Sequence, residues 1–257
     1  MKPYRAIAEY YDHENERLAW LQRDVPFFLK QLPTKRQAVL ELACGTARAA
    51  IPIAQAGHRV VGVDYADDML DIARRKRDAV GLRDRDLKLL HGDVLNLDLG
   101  ETFDWIAVLF NTFLAFTSLE KQDAFLQGVR RHMKRGGRFW LDIFQPNLAL
   151  LASEHSQAID PAVFYVPQFE RTVFMTVDVR RDPSRQLQRV TFNYKWFDKH
   201  GRERKQRRAF DLTFIFPREL QILLERNSLR IENLYGDHDG SPLHADSPRI
   251  IAQCRLA

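Results

Sequence analysis

Between residues 37 and 144 the chain alternates short apolar runs with stretches whose apolar residues recur every three or four positions. "QAVLELA", "HRVVGVD", "FDWIAVLFN" and "RGGRFWLDIF" read as buried strands, because their apolar residues run on instead of alternating with polar ones. "LKLLHGDV" reads as a shorter strand and turn. Between these strands, "ARAAIPIAQAG" predicts a helix ended by Gly57. "ADDMLDIARRKRDAV" predicts a helix with Met69, Ile72, Ala73 and Val80 inward and acids in its first turn, and "SLEKQDAFLQGVRRHM" one capped by Ser118. Strands that alternate with helices imply right-handed crossovers and a doubly wound, mostly parallel sheet covered on both faces, an α/β fold.

Two segments depart from this alternation. Residues 6 to 32 are helix-like, with Ile7, Tyr10, Tyr11, Leu18, Leu21, Val25, Phe28 and Leu29 at mixed three- and four-residue spacings, and Pro26 is expected to bend or divide them. After about residue 160, "RTVFMTVDVRRD", "RQLQRVTFNYKWFD" and "RERKQRRAFDLTFIF" alternate with period two across "PS" and "KHG" turns, which predicts an antiparallel meander. "PRELQILLERNSL" then reads as a helix opening at Pro217, and "RIENLYG" and "PRIIAQCRLA" as closing strands. The expected organisation is a core made of residues 1–160 and 215–257, with residues 161–214 inserted as antiparallel β structure.

Composition agrees with a folded domain: 257 residues, 45% hydrophobic and 28% charged, suffice to bury a sizeable core. No apolar run approaches the roughly 20 residues of a membrane span. The N-terminus lacks the basic, apolar, small-residue order of a secretory signal, so a cytoplasmic enzyme without a membrane partner, as monomer or homodimer, is expected. Cys44 and Cys254 are the only cysteines and have no metal-ligand spacing, so no metal is expected. The net charge of +5 gathers in three clusters, around Arg74–Arg77, Arg130–Arg135 and Arg202–Arg208. The first two suit helix ends, where cations complement the dipole; the third falls on a strand, as a solvated edge or as a surface for an anionic partner such as RNA.

The turn "ELACGTAR" follows the first strand, where open parallel sheets bind ligands. A pyrophosphate would call for G-x-G-x-x-G/A, but Ala43 stands at the first position and Arg48 at the last. A ligand with a ribose and no phosphate needs close backbone approach, which Gly45 and its small neighbours offer, and a carboxylate for the ribose hydroxyls. Asp64, 19 residues after Gly45, ends the second strand; Asp93 follows the third, where a carboxylate can accept from an adenine amino group.

These motifs resemble the class I S-adenosylmethionine-dependent methyltransferases, closely over residues 1 to about 150. "ELACGTA" corresponds to the family's acid and Gly-x-Gly-x-Gly with alanine at the first and third glycines, "GVDYADDML" to its second motif and "GDVLNLDL" to its third. The resemblance implies a Rossmann-like fold and S-adenosyl-L-methionine as cofactor, with S-adenosyl-L-homocysteine as product. It implies Glu41, Ala43 and Gly45 at the methionine end, Asp64 on the ribose with Tyr65 and Met69 beside it, and Asp93 with Val94 around the adenine. Leu109, Phe110 and Asn111 would line the methionine and acceptor side. "AEYYDHENER" is similar to a segment that crosses the cofactor, which implies Tyr11 near the sulfonium as the catalytic candidate, with Tyr10 and Tyr4 as alternatives. Among acid–base candidates His13, Glu14, His155 and His238, none is assigned.

The expected function is methyl transfer to an N or O nucleophile of a small molecule, because "NTFLAF" stands where methyltransferases of nucleobase amines often carry an Asn/Asp-Pro-Pro-aromatic segment. The alternatives are a methyltransferase of tRNA or other RNA, a basic RNA-binding module without catalysis, and a cofactor-binding protein that has lost catalysis.

Overall fold

The computed structural model describes residues 8–157 and 162–257, so Tyr4 and Ile7 lie outside the described residues. The central sheet is built from β1 (Ala38–Leu42), β2 (Arg59–Asp64), β3 (Leu87–His91), β4 (Phe103–Val108), β5 (Met133–Phe144), β11 (Leu229–Tyr235) and β12 (Arg249–Leu256), in the order β11-β12-β5-β4-β1-β2-β3. Strands β1 to β5 pair in parallel, and β12 runs antiparallel to both β5 and β11. The order reverses at β1, which lies between β2 and β4. A crevice therefore opens at its carboxyl end, where the two neighbouring connections leave in opposite directions.

Alternation along the strands sorts the core onto two faces. Leu40, Val61, Ile106 and Leu141 pack with Phe125, Leu126 and Val129 of α5 (Leu119–His132) and with Leu220, Leu223 and Leu224 of α7 (Pro217–Arg226). Val39, Val60, Trp105 and Trp140 pack with Val25, Phe27 and Phe28 of α2 (Leu21–Gln31). Ile51 and Ile53 of α3 (Ala50–Gln55) and Leu70 and Ala73 of α4 (Asp67–Ala79) complete that face. Burying each large apolar side chain contributes about 1.5–3 kcal/mol, so these two layers carry the stability of the core.

The predicted cap at Ser118 is present, its hydroxyl accepting from Lys121 N at 3.4 Å, and Pro217 opens α7 at a position whose N–H has no helical partner in any case. The N-terminal helical segment divides differently from expectation. The break falls at residues 16–20, between α1 (Ala8–Asn15) and α2, and Pro26 stays inside α2. At that point the second turn of α2 is anchored by buried Val25, Phe27 and Phe28, which outweighs one missing hydrogen bond.

The short helix α6 (Leu148–Leu151) leads from β5 to a second sheet with strand order β10-β9-β8-β6. Its strands are β6 (His155–Gln157), β7 (Ala162–Val166), β8 (Arg171–Asp182), β9 (Leu187–Phe197) and β10 (Glu203–Thr213), with β7 pairing to β8. All pairings are antiparallel, as the period-two pattern of β8 to β10 predicts; β6 and β7 are additions too short to show that pattern.

One close approach fixes the first strand-to-helix turn against the sheet. A Cβ built on Gly62 in β2 would lie 2.9 Å from Cys44 Sγ and 3.1 Å from Leu89 Cδ2. Gly62→Ala is expected to destabilise the protein by about 1–3 kcal/mol through overpacking, and Cys44→Ala in the same chain to recover part of the loss; urea midpoints of the three proteins check this.

Candidate functional site

The turn between β1 and α3 takes an unusual backbone path. Ala43, Gly45 and Ala47 have φ of 57°, 54° and 60°, so every second residue is left-handed. This conformation costs an alanine roughly 1–2 kcal/mol, so the two alanines need support from their surroundings. Cys44 N donates to Val63 O at 3.0 Å, Ala47 N donates to Cys44 O at 2.9 Å, and Ala47 is completely buried. A Cβ on Gly45, by contrast, would meet nothing within 4 Å, which leaves its backbone open to a ligand.

Asp64 closes the turn from β2. Its Oδ2 accepts Gly45 N at 2.8 Å and its Oδ1 accepts Ala66 N at 2.9 Å. Burial raises its pKa, partly offset by these backbone bonds. Glu41 in β1 is buried more deeply, and its Oε2 has no hydrogen-bond partner. Desolvation pushes its pKa up to about 8, opposed chiefly by Arg48. Arg48 itself binds Asp24 of α2 through both nitrogens, at 2.8 and 2.5 Å, and so ties α2 to the turn. Open space beside the Gly45 backbone, a carboxylate clasped to its amide and a buried acid with one oxygen unpartnered together suit a ribose-bearing cationic ligand such as S-adenosylmethionine.

Helix α1 crosses this turn. Asp12 accepts Thr46 Oγ1 at 2.6 Å and Lys76 Nζ of α4 at 2.9 Å, while Tyr11 packs by Ala66 and Met69 and meets the Phe110 ring edge-on at 6.3 Å. Phe110 and Asn111, just after β4, are both left-handed, with φ of 54° and 64°. Asn111 holds that strain through two bonds to β5: its N donates to Asp142 O at 3.1 Å, and its Oδ1 accepts Phe144 N at 2.7 Å. An aromatic row results. Trp20 stacks on Phe110 at 5.7 Å and meets Phe144 at 5.3 Å. The Arg249 guanidinium lies 4.7 Å from the Trp20 ring centroid and 4.3 Å from that of Phe144. Buried Asp142 accepts from Arg249 Nε and Nη2 at 2.9 and 2.6 Å and pairs with His238 Nε2 at 2.9 Å, and these partners hold its pKa below the usual range despite burial.

The structure therefore gathers Tyr11, Glu41, Ala43, Gly45, Asp64, Met69, Leu109, Phe110 and Asn111 around one crevice. Tyr65 stands beside Asp64 with its side chain largely exposed, and its carbonyl meets His91 Nε2 at 3.0 Å. Asp93 lies past β3, exposed, with its oxygens accepting Leu95 N and Asn96 Nδ2 at 3.0 and 2.9 Å, while Val94 packs on the core. Tyr10 points elsewhere, into the second sheet, and so parts company with Tyr11. Asp12, Trp20, Asp142 and Arg249 were not foreseen. They are isolated in the sequence, although Asp12 falls inside "AEYYDHENER" and Arg249 closes the polar, turn-rich loop "GDHDGSPLHADSPR" between the last two strands.

A family model described as a methyltransferase domain matches residues 39–137, which span the turn, Asp64 and the end of β4. Residues 39–137 thus form a methyltransferase domain. The CcbJ methyltransferase from Streptomyces caelestis shares the fold over 100% of this chain and 98% of its own, with a TM-score of 0.79 at 22% identity. A cypemycin N-terminal methyltransferase from a Streptomyces species is 38% identical over 114 residues, 44% of each chain. A dTDP-3-amino-3,6-dideoxy-alpha-D-glucopyranose N,N-dimethyltransferase from Streptomyces fradiae is 28% identical over 135 residues, 51% of this chain and 50% of its own. Other curated relatives are named demethylmenaquinone methyltransferases, and the matched segments span 44% to 64% of the curated relatives' length.

The RNA alternative finds no support in the clustered cations, because acids of the same chain answer many of them. Arg74 pairs with Asp71, Arg75 with Glu9, Lys76 with Asp12, Arg77 with Asp78 and Asp84, and Lys134 with Asp104. On β10, Lys205 pairs with Glu203 and Arg204 with Asp198, while Arg208 is buried against Phe192 and Phe210. Among the described residues, no helix is long and apolar enough to cross a membrane.

The raised pKa of Glu41 has a thermodynamic consequence. Between the ordinary carboxyl value of 4.5 and about 8, the folded state keeps a proton that the unfolded state has released, so stability falls as pH rises through that window and levels off above it. Glu41→Gln is expected to flatten this slope by on the order of a few kcal/mol between pH 5 and 8, as read from urea midpoints of the ligand-free protein.

Proposed function

We propose that this methyltransferase moves a methyl group from S-adenosylmethionine to an amine nitrogen of a small molecule. The observation that carries the reading is Asp64 clasped to the amide of Gly45, in a turn whose left-handed path leaves room for a ligand to approach its backbone. Asp64 keeps further acceptor capacity for two ribose hydroxyls, Glu41 with the Ala43–Gly45 turn faces the charged methionine end, and Tyr65 and Met69 flank the ribose. Asp93 and Val94 border the adenine. Leu109, Phe110 and Asn111 line the passage from methionine to acceptor, and Tyr11 stands by the sulfonium.

The cofactor supplies a methyl group on a sulfonium, which is already a good leaving group. The protein's part is thus alignment, exclusion of water and an environment tolerant of cations. Tyr11 and Phe110 offer ring faces and edges to a cation, and α1 shields the crevice from solvent. The row Phe110–Trp20–Phe144 continues from that point toward β12, and it is the natural wall for the acceptor. A nitrogen acceptor is favoured because relatives above are named as an N-terminal methyltransferase and an amino-sugar N,N-dimethyltransferase, and because aromatic rings favour the ammonium that forms when a neutral amine takes the methyl group from sulfur, before its proton passes to solvent.

Equilibrium titration with S-adenosylmethionine is expected to show binding that Asp64→Ala weakens by at least about tenfold. Protein that fails to bind the cofactor would overturn the reading. Tritium-methyl transfer to amino sugars, peptides with free amino termini and demethylmenaquinone is expected to label an amine. With the amine acceptor so found, Trp20→Ala is expected to raise the acceptor KM about tenfold and leave cofactor affinity within twofold.

A further inference from the structure

Helix α1 has eight residues, well short of the roughly 12–15 that make an isolated helix even marginally stable in water, so its place over the crevice is set by what grips it. It is gripped from two sides. On one side Asp12 reaches Thr46 and Lys76, and Glu9 reaches Arg75. On the other side its partners among the described residues lie on the antiparallel sheet and on the turn between β7 and β8. Tyr10 and Glu14, one helical turn apart, are both buried there. The Tyr10 hydroxyl accepts Arg171 Nη1 at 2.7 Å, and its ring lies 6.0 Å from Phe169 and from Tyr194 and 6.2 Å from Trp196. Glu14 Oε2 accepts the Tyr194 hydroxyl at 2.7 Å, with Arg208 supplying a favourable charge nearby, and His13 Nε2 meets Gln168 Oε1 at 3.1 Å.

We infer that the antiparallel sheet is part of the cofactor-binding machinery: Tyr194 and Arg171 are positioning residues that hold α1, through Glu14 and Tyr10, so that Tyr11 and Asp12 lie over the crevice. The inference rests on the cofactor reading above and assigns to β8 and β9 a task in the same site. Tyr11 and Asp12 are neighbours of Tyr10 and lie on the opposite side of one short rigid element. A slack grip at Glu14 therefore loosens Tyr11 and the Asp12–Thr46 bond together. The strands β1, β2 and β4, which carry Gly45, Asp64 and Phe110, have no part in the grip.

The test is calorimetric titration with S-adenosylhomocysteine, with melting temperatures and amide hydrogen exchange of the same proteins. Glu14→Ala and Tyr194→Phe are each expected to weaken binding about tenfold, and the double variant to be no weaker than either alone, because both remove one contact. Glu14→Gln keeps an oxygen for the Tyr194 hydroxyl and is expected to bind within about twofold of the unaltered protein. Amides of α1 are expected to lose protection in Glu14→Ala and Tyr194→Phe while those of β1, β2 and β4 keep theirs. If the unaltered protein binds and these variants bind equally well, or if Glu14→Gln is as weak as Glu14→Ala, the inference fails and the cofactor reading stands. If the unaltered protein does not bind S-adenosylhomocysteine, both fall together.

Discussion

A strand-to-helix turn that is left-handed at Ala43, Gly45 and Ala47 is the constraint from which the site follows. Such a path leaves open space beside the Cα of Gly45, and it needs outside support because two of its three strained positions are alanines. The support is local and dense. Cys44 presses on Gly62, where no Cβ would fit, its amide binds the backbone of β2, and Asp64 takes the amide of Gly45. The same residues that stabilise the turn therefore hold the Asp64 carboxylate against Gly45 at the carboxyl end of β2.

Buried charge is used in a consistent way around this turn. Asp24 with Arg48 and Asp142 with Arg249 are pairs in which a nearly inaccessible carboxylate takes two hydrogen bonds from one guanidinium. Each guanidinium also lies against aromatic rings, Arg48 against Phe110 and Arg249 against Trp20 and Phe144. Pairs of this kind add little net stability, since desolvation offsets most of their attraction, but they penalise any arrangement that separates them. Their effect here is to fix the rings of one aromatic row relative to the ends of β4, β5 and β12. Glu41 is the exception, a buried acid whose charge is only partly answered by Arg48, and a cationic ligand would favour its ionised form.

The antiparallel sheet gives the N-terminal helix something to lean on. Without it α1 would keep its polar contacts to the turn and α4, at half-exposed side chains, and the packing of Ala8 and Tyr11 against Ala66, Met69, Ile72 and Phe110. With it, Tyr10 joins a buried cluster of Phe164, Val166, Val173, Met175 and Tyr194. The helix that crosses the β1–α3 turn is in this way held by side chains from the antiparallel sheet, although the turn itself belongs to the parallel sheet alone.

The alternation of apolar runs and amphipathic stretches was enough to determine the parallel core, its helices, the meander strands β8 to β10 and the placing of Gly45 and Asp64 at adjacent strand ends. Those features depend on local periodicity and on the short reach of crossover connections, both of which are written along the chain. The left-handed path at Ala43 and Ala47 was visible only as missing glycines, because the packing that permits it comes from β2 and β3. Tyr10 and Tyr11 are neighbours of the same type, and no sequence pattern says which one faces the crevice; the position of the second sheet decides it. Asp142, His238 and Arg249 lie far apart in the chain and meet because β12 runs antiparallel against β5, and Trp20 reaches them because the helical segment breaks at residues 16–20 instead of at Pro26. Pairings between residues so distant carry no local signal, so tertiary structure alone could reveal the aromatic row where β4, β5 and β12 meet.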